Sequence, residues 1–148
     1  MKALKIAMMS LTHGHTRKYY QVLRDNPKLD WVASCAEDQR AKEVYELYKT
    51  GVPCYLDAEE MLRCHPDIEA VVLASANNRH LEQVRFFAER GIHILSMKIP
   101  TFNMAEYDEM IRICRDNHVI CQVELEMHYN PVVHRIRDLI ASGEIGKI

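Results

Sequence analysis

No apolar run in this chain reaches the roughly 18 residues that a membrane-spanning helix needs, and a basic excess is missing as well. Lys and Arg total 19 against 21 for Asp and Glu, a formal charge of −2. That balance lacks the usual electrostatic footprint of a nucleic-acid or membrane-surface partner, so neither is expected. The start, Met1-Lys2-Ala3-Leu4-Lys5, has too short an apolar stretch for a signal peptide and reads as the approach to a first strand. Paired cysteine motifs are also absent. Cys35, Cys54, Cys64, Cys114 and Cys121 are odd in number, scattered, and never spaced C-x-x-C. Three of them sit inside apolar runs, where a thiol behaves as a small hydrophobe. A disulfide framework or zinc ribbon is therefore not expected, and a reduced, cytoplasmic setting is. Glycine is sparse too, with five residues in 148, which limits close backbone approach in loops. What remains is globular usage, 48% hydrophobic and 27% charged, sufficient for one packed domain.

Short apolar runs alternate with longer segments of helical periodicity. Lys5–Met9 precedes Thr16–Asn26, where Tyr19, Tyr20, Val22 and Leu23 recur at helical spacing. Trp31–Ala36 precedes Gln39–Lys49, whose stripe is Ala41, Val44, Tyr45, Leu47 and Tyr48. Asp57 reads as the N-cap of a short helix ending near Cys64, with Glu60 at the capping-box position. Ala70–Ala74 leads to His80–Arg90, which Gly91 stops, and His93–Ser96 leads to Asn103–Asn117, capped by Asn103 with Glu106 three residues on. Val119–Leu125 reads as the last strand, before a helix over Pro131–Ser142. Continuous apolar strands such as A-V-V-L-A imply burial on both faces, as in a parallel sheet between helix layers. The expected fold is α/β, a doubly wound parallel sheet of the Rossmann type. Such sheets bind ligands at the carboxyl ends of their strands, which directs attention to five loops.

The first loop, Ser10-Leu11-Thr12-His13-Gly14-His15, stands where a G-x-G-x-x-G fingerprint belongs. Ser10 and Thr12 replace its first two glycines, and Gly14 alone remains. Amides at the helix start near Thr16 favour an anion such as a pyrophosphate; the bland alternative is ordinary strand–helix punctuation. His13 and His15 are two polar loop residues, and no metal is expected. At the second strand end, Glu37 is placed to accept hydrogen bonds from an adenosine ribose and to repel a 2′-phosphate, which favours NAD, while Arg40 leaves NADP open. Glu37 and Asp38 equally suit the start of a helix by its dipole. Ser75–His80 form the third loop. Lys98 lies between apolar neighbours at a strand's carboxyl end. Partial burial beside an oxidised nicotinamide would favour its neutral amine and let it exchange a proton with a substrate hydroxyl as hydride moves; reaching solvent is the commoner fate of a lysine. Glu124, Glu126 and His128 alternate and so share one strand face. They either bind sugar hydroxyls or a divalent ion, or form the solvated face of an edge strand.

The order and spacing of these segments resemble the glucose–fructose oxidoreductase / inositol dehydrogenase / rhizopine catabolism (Gfo/Idh/MocA) family. The resemblance runs from K-I-A-M-M-S-L through W-V-A-S-C-A-E-D-Q-R-A and G-V-P-C-Y-L-D-A-E-E-M-L. It continues through D-I-E-A-V-V-L-A-S-A-N-N-R-H and G-I-H-I-L-S-M-K-I-P to Y-N-P-V-V-H-R-I-R-D-L-I-A-S-G-E-I-G-K-I. It implies an enzyme that uses NAD or NADP to oxidise or reduce hydroxyl and carbonyl carbons of sugars, inositols and related compounds. Lys98 matches the lysine of the family's E-K-P motif, which touches substrate and nicotinamide. Ser75, Asn77, Asn78 and His80 fall in or beside the P-N-x-x-H stretch near the cofactor, and Glu37 falls on the ribose-binding acid. Met97, Ile99, Ala76 and His128 depart from the pattern's glutamate, proline, proline and arginine.

The resemblance further implies a dinucleotide-binding domain over 1–142 and, at 143–148, the start of a mostly antiparallel α+β substrate domain, so that the chain reads as truncated and inactive alone. The worn glycine loop motivates an alternative, a nucleotide-binding or partner-subunit module without chemistry. A third reading is a glycosidase-like enzyme that oxidises and re-reduces its substrate. An uncovered sheet face would also make association of identical copies an expectation.

Overall fold

The computed structural model describes residues 2–11 and 14–147. Six strands form one parallel sheet: β1 (Leu4–Met9), β2 (Leu29–Cys35), β3 (Cys54–Tyr55), β4 (Ala70–Leu73), β5 (His93–Ser96) and β6 (Cys121–Val123). Their order, β3-β2-β1-β4-β5-β6, reverses direction between β1 and β4, and that reversal opens a crevice at the strands' carboxyl ends. All four residues of β4 are buried. Val71 and Leu73 join the core on one face, Ala70 and Val72 the core on the other, as the period of two requires. Full burial of side chains such as Val71, Val72 and Leu73 contributes about 1.5–3 kcal/mol each.

The helices form where stripes and caps coincide. They are α1 (Thr16–Asp25), α2 (Gln39–Glu46), α3 (Ala58–Cys64), α4 (His80–Ala88), α5 (Met104–Asp116) and α6 (Pro131–Ser142). Asp57 accepts from Glu60 N–H at 2.6 Å and Asn103 from Glu106 N–H at 2.9 Å, caps worth about 1 kcal/mol each. After α4, Gly91 takes a φ of 72°, a left-handed stop that other residues resist. Met61, Phe87, Met110 and Ile113 from α3, α4 and α5 fill one face of the sheet. On the other face, Tyr20 of α1 stacks on Trp31 at 5.5 Å, with Tyr45 of α2 edge-on to it at 5.5 Å. Such aromatic pairs add about 0.5–1.5 kcal/mol beyond burial.

The structure adds one strand and corrects two expectations. Cys54–Tyr55 pairs with β2 as a two-residue edge strand that no periodic pattern announces. The last strand is not Val119–Leu125: it ends at Val123, and Glu126–Tyr129 forms a 3-10 turn. Glu124, Glu126 and His128 therefore do not share a strand face. The chain has to leave the sheet here, because Asn130 caps α6 by accepting from Val132 N–H at 2.9 Å and Pro131 opens that helix. α6 forms as expected but buries no residue, and Val132, Ile136 and Ile140 stand exposed along one stripe.

Candidate functional site

The crevice begins at Ser10, directly after β1. Its φ of 63° is left-handed, a conformation that costs a non-glycine roughly 1–2 kcal/mol. Ser10 thus makes the turn that a fingerprint glycine would make. Hydrogen bonds offset the strain. Ser10 N–H donates to the Cys35 carbonyl at 2.9 Å, and Ser10 Oγ accepts from Gln83 Nε2 at 3.3 Å. Gln83 Oε1 in turn accepts from Ser75 Oγ at 2.5 Å. All three side chains are buried, so Ser10 and Ser75 use their hydroxyls to brace the loop, the end of β4 and α4. Gln83 has no place among the sequence candidates; the signal for it is an amide on the apolar face of α4.

Thr12 and His13 lie outside the described residues. A Cβ added at Gly14 would meet nothing within 4 Å, so the packing of the described residues does not itself demand a glycine there. At the start of α1, Thr16 is 5% exposed and its Oγ1 has no hydrogen-bond partner among the described residues. A buried hydroxyl is rarely left unpaired without a reason. Beside a helix N-terminus, it suits a phosphate oxygen.

Glu37 projects from the end of β2, and both its carboxylate oxygens accept from Leu11 N–H, at 2.9 and 3.0 Å. This bond ties the second loop to the first. A carboxylate has about four acceptor sites. Arg40 is exposed in the first turn of α2 and makes no ion pair among the described residues. Asn77 and Asn78 form a 3-10 turn after β4, Asn77 half-buried and Asn78 exposed.

His80, fully buried at the start of α4, holds the lysine loop. Its Nδ1 is 3.0 Å from the Ile99 carbonyl oxygen; a carbonyl only accepts, so Nδ1 carries the hydrogen. Lys98 precedes Ile99, and Lys98 Nζ donates to both oxygens of Glu126 at 2.6 and 2.7 Å. That ammonium holds the Glu126 carboxyl below the usual carboxylate range. Glu124, two residues earlier, faces His15 instead, with Nδ1 at 3.1–3.2 Å from its oxygens. Burial, then the charge and hydrogen bonding of Glu124, push the Tyr19 hydroxyl well above its ordinary range, so it remains a neutral donor. Tyr19 is a second residue missing from the sequence candidates. His128 stands apart: it is exposed, and its carbonyl oxygen is 2.5 Å from His134 Nε2 within the turn into α6.

The strand ends thus bring together Ser10, Ser75, Glu37, His15, His80, Lys98, Glu124 and Glu126. They offer a helix N-terminus with an orphaned hydroxyl on one side and a lysine–glutamate pair on the other. These residues fit a dinucleotide. Among the described residues no group of three or more His, Cys, Asp or Glu could hold a metal ion, and no helix is long and apolar enough to cross a membrane.

Comparison with known proteins agrees with this fold. The chain is 33% identical over 89 residues to 2,7-anhydro-N-acetylneuraminate hydratase of Mediterraneibacter gnavus, covering 60% of this chain and 24% of that protein. It is 28% identical over 112 residues to D-xylose 1-dehydrogenase (NADP(+)) 2 of Haloferax volcanii, covering 76% and 34%. The crystal structure of myo-inositol 2-dehydrogenase from Lactobacillus plantarum superposes with a TM-score of 0.86 at 22% identity, over 99% of this chain and 43% of that one. The chain therefore spans about a quarter to a third of the length of these curated relatives. Residues 6–125 match the model of the oxidoreductase family with an NAD-binding Rossmann fold, and the chain belongs to that family, Gfo/Idh/MocA.

Proposed function

We propose that residues 1–142 form the cofactor-binding unit of an oxidoreductase acting on a sugar, inositol or related polyol, and that residues 143–148 open a separate substrate-binding domain. The observation that carries this reading is the placement of Lys98 at the mouth of the crevice, its Nζ bonded to both oxygens of Glu126 at 2.6 and 2.7 Å. Thr16 and the amides at the start of α1 would hold the pyrophosphate of NAD(P), and Glu37 the adenosine ribose. Glu37 favours NAD, since its carboxylate would repel a 2′-phosphate. When bound, the cofactor supplies the hydride acceptor or donor. Lys98 Nζ takes or returns the proton of the substrate hydroxyl, Glu126 positions that amine, and His80 holds the loop that carries it. The names of the D-xylose and myo-inositol dehydrogenases among the relatives support the substrate class. Five free cysteines support a reducing cytoplasmic setting.

Lys98→Ala in the complete protein tests the assignment. Turnover should fall by about 10²–10⁴, the usual contribution of a positioned acid–base group, while NADH affinity is preserved. Unchanged turnover across a panel of sugars and polyols would remove Lys98 from the chemistry. A second reading, favoured by the relative named as a hydratase, is a reaction that consumes substrate with no net change in NADH. Following substrate and NADH absorbance together separates the two.

A further inference from the structure

The loop that stands in place of the glycine fingerprint is fastened at both ends. At its start, Gln83 bonds to Ser10 and Glu37 takes the Leu11 N–H. At its end, His15 Nδ1 lies 3.1 and 3.2 Å from the two oxygens of Glu124; a carboxylate only accepts, so Nδ1 donates. This second fastening spans the crevice. His15 directly precedes α1 and Glu124 directly follows β6, while β4 and β5 lie between β1 and β6 in the sheet. Both side chains are largely shielded, with 24% of His15 and 12% of Glu124 exposed.

This pairing shapes the charge at the start of α1. His15 occupies the N-cap position, yet its side chain makes no cap hydrogen bond to its own helix; the imidazole goes to Glu124 instead. The first turn holds no acidic residue, and Thr16 is followed by the exposed cations Arg17 and Lys18. That order runs against the helix dipole and suits a bound anion. The Thr16 hydroxyl, buried and without a partner among the described residues, points to the same kind of ligand. Glu124 brings a largely buried carboxylate to the residue directly before Thr16, and a carboxylate left unpaired there would repel a phosphate. We propose that His15 is a positioning residue for the cofactor: its Nδ1–H takes up the Glu124 carboxylate and so keeps the first turn of α1 fit for the pyrophosphate. Glu124 is thereby assigned to the cofactor and not to the hydroxyls of a sugar. The assignment rests on the pyrophosphate placement proposed for Thr16 and the α1 amides.

The test is calorimetric titration of the folded chain and its variants with NADH, with thermal melting to confirm that each variant is folded. His15→Ala leaves Glu124 unpaired and should weaken NADH binding by about tenfold. Two further variants separate this from a merely structural histidine. His15→Asn supplies an amide N–H in place of Nδ1–H and should bind within about threefold of the parent. In His15→Ala combined with Glu124→Gln no carboxylate is left to repel the phosphates, and affinity should likewise return to within about threefold. Unchanged affinity in His15→Ala would overturn the proposal. So would a double variant, or a His15→Asn chain, that binds as weakly as His15→Ala. These results leave the cofactor reading standing, because the parent still binds. A folded parent that binds neither NADH nor NADPH would overturn both.

Discussion

The two sides of the crevice are held by different forces. On the β1–β4 side, Ser10, Gln83 and Ser75 form a buried chain of neutral hydrogen bonds, screened from solvent by the sheet and α4. On the β5–β6 side, Lys98 meets Glu126 with roughly a third and a half of their side-chain surfaces exposed. Neutral buried bonds resist salt and pH, and they fix a shape. Exposed ion pairs contribute little to stability but respond to both. The proposed cofactor side is thus built rigid, and the proposed proton-handling side is built to exchange partners.

The largest effect should come from breaking the buried chain. Gln83→Leu leaves the Ser10 and Ser75 hydroxyls without their partner, a loss of about 1–3 kcal/mol. Thermal melting should show it equally at low and high salt; an unchanged melting temperature would show that the network braces nothing. Thr16→Val comes next and separates structure from binding. Its hydroxyl has no partner among the described residues, so stability should stay within about 0.5 kcal/mol, while NADH affinity weakens by up to about tenfold. Equal affinity would place the pyrophosphate elsewhere. The smallest effect belongs to Glu126→Gln. The native pKa of Glu126 is depressed by Lys98, so its contribution is present above the unfolded glutamate value of about 4.3. That contribution is lost as pH falls through the lower native value. The variant should melt like the parent below that range and only slightly earlier at neutral pH, with the difference shrinking in salt. A large neutral-pH loss would contradict the exposed-pair reading.

The same division governs what was legible in the sequence. Local signals sufficed for the caps at Asp57 and Asn103, the stop at Gly91 and the doubly buried β4, because a few adjacent residues determine each. Ser10 shows where local reading falls short. As a serine in a glycine position it argues against the loop, yet Gln83, distant in sequence, helps stabilise the turn. The alternation of Glu124, Glu126 and His128 looked like a strand face because period two is all that sequence displays. His15 and Lys98, which draw the two glutamates in different directions, are neighbours only after folding. In sequence Tyr19 reads as part of an apolar stripe, and its hydroxyl acquires meaning only beside Glu124.

The central claim, that this crevice holds a nicotinamide dinucleotide, is tested most directly by calorimetric titration of the folded chain with NADH and NADPH. We expect saturable binding of one NADH per chain, tighter than NADPH and weakened by Glu37→Ala. A chain that melts cooperatively yet gives no binding heat with either nucleotide, and no shift in melting temperature, would contradict it.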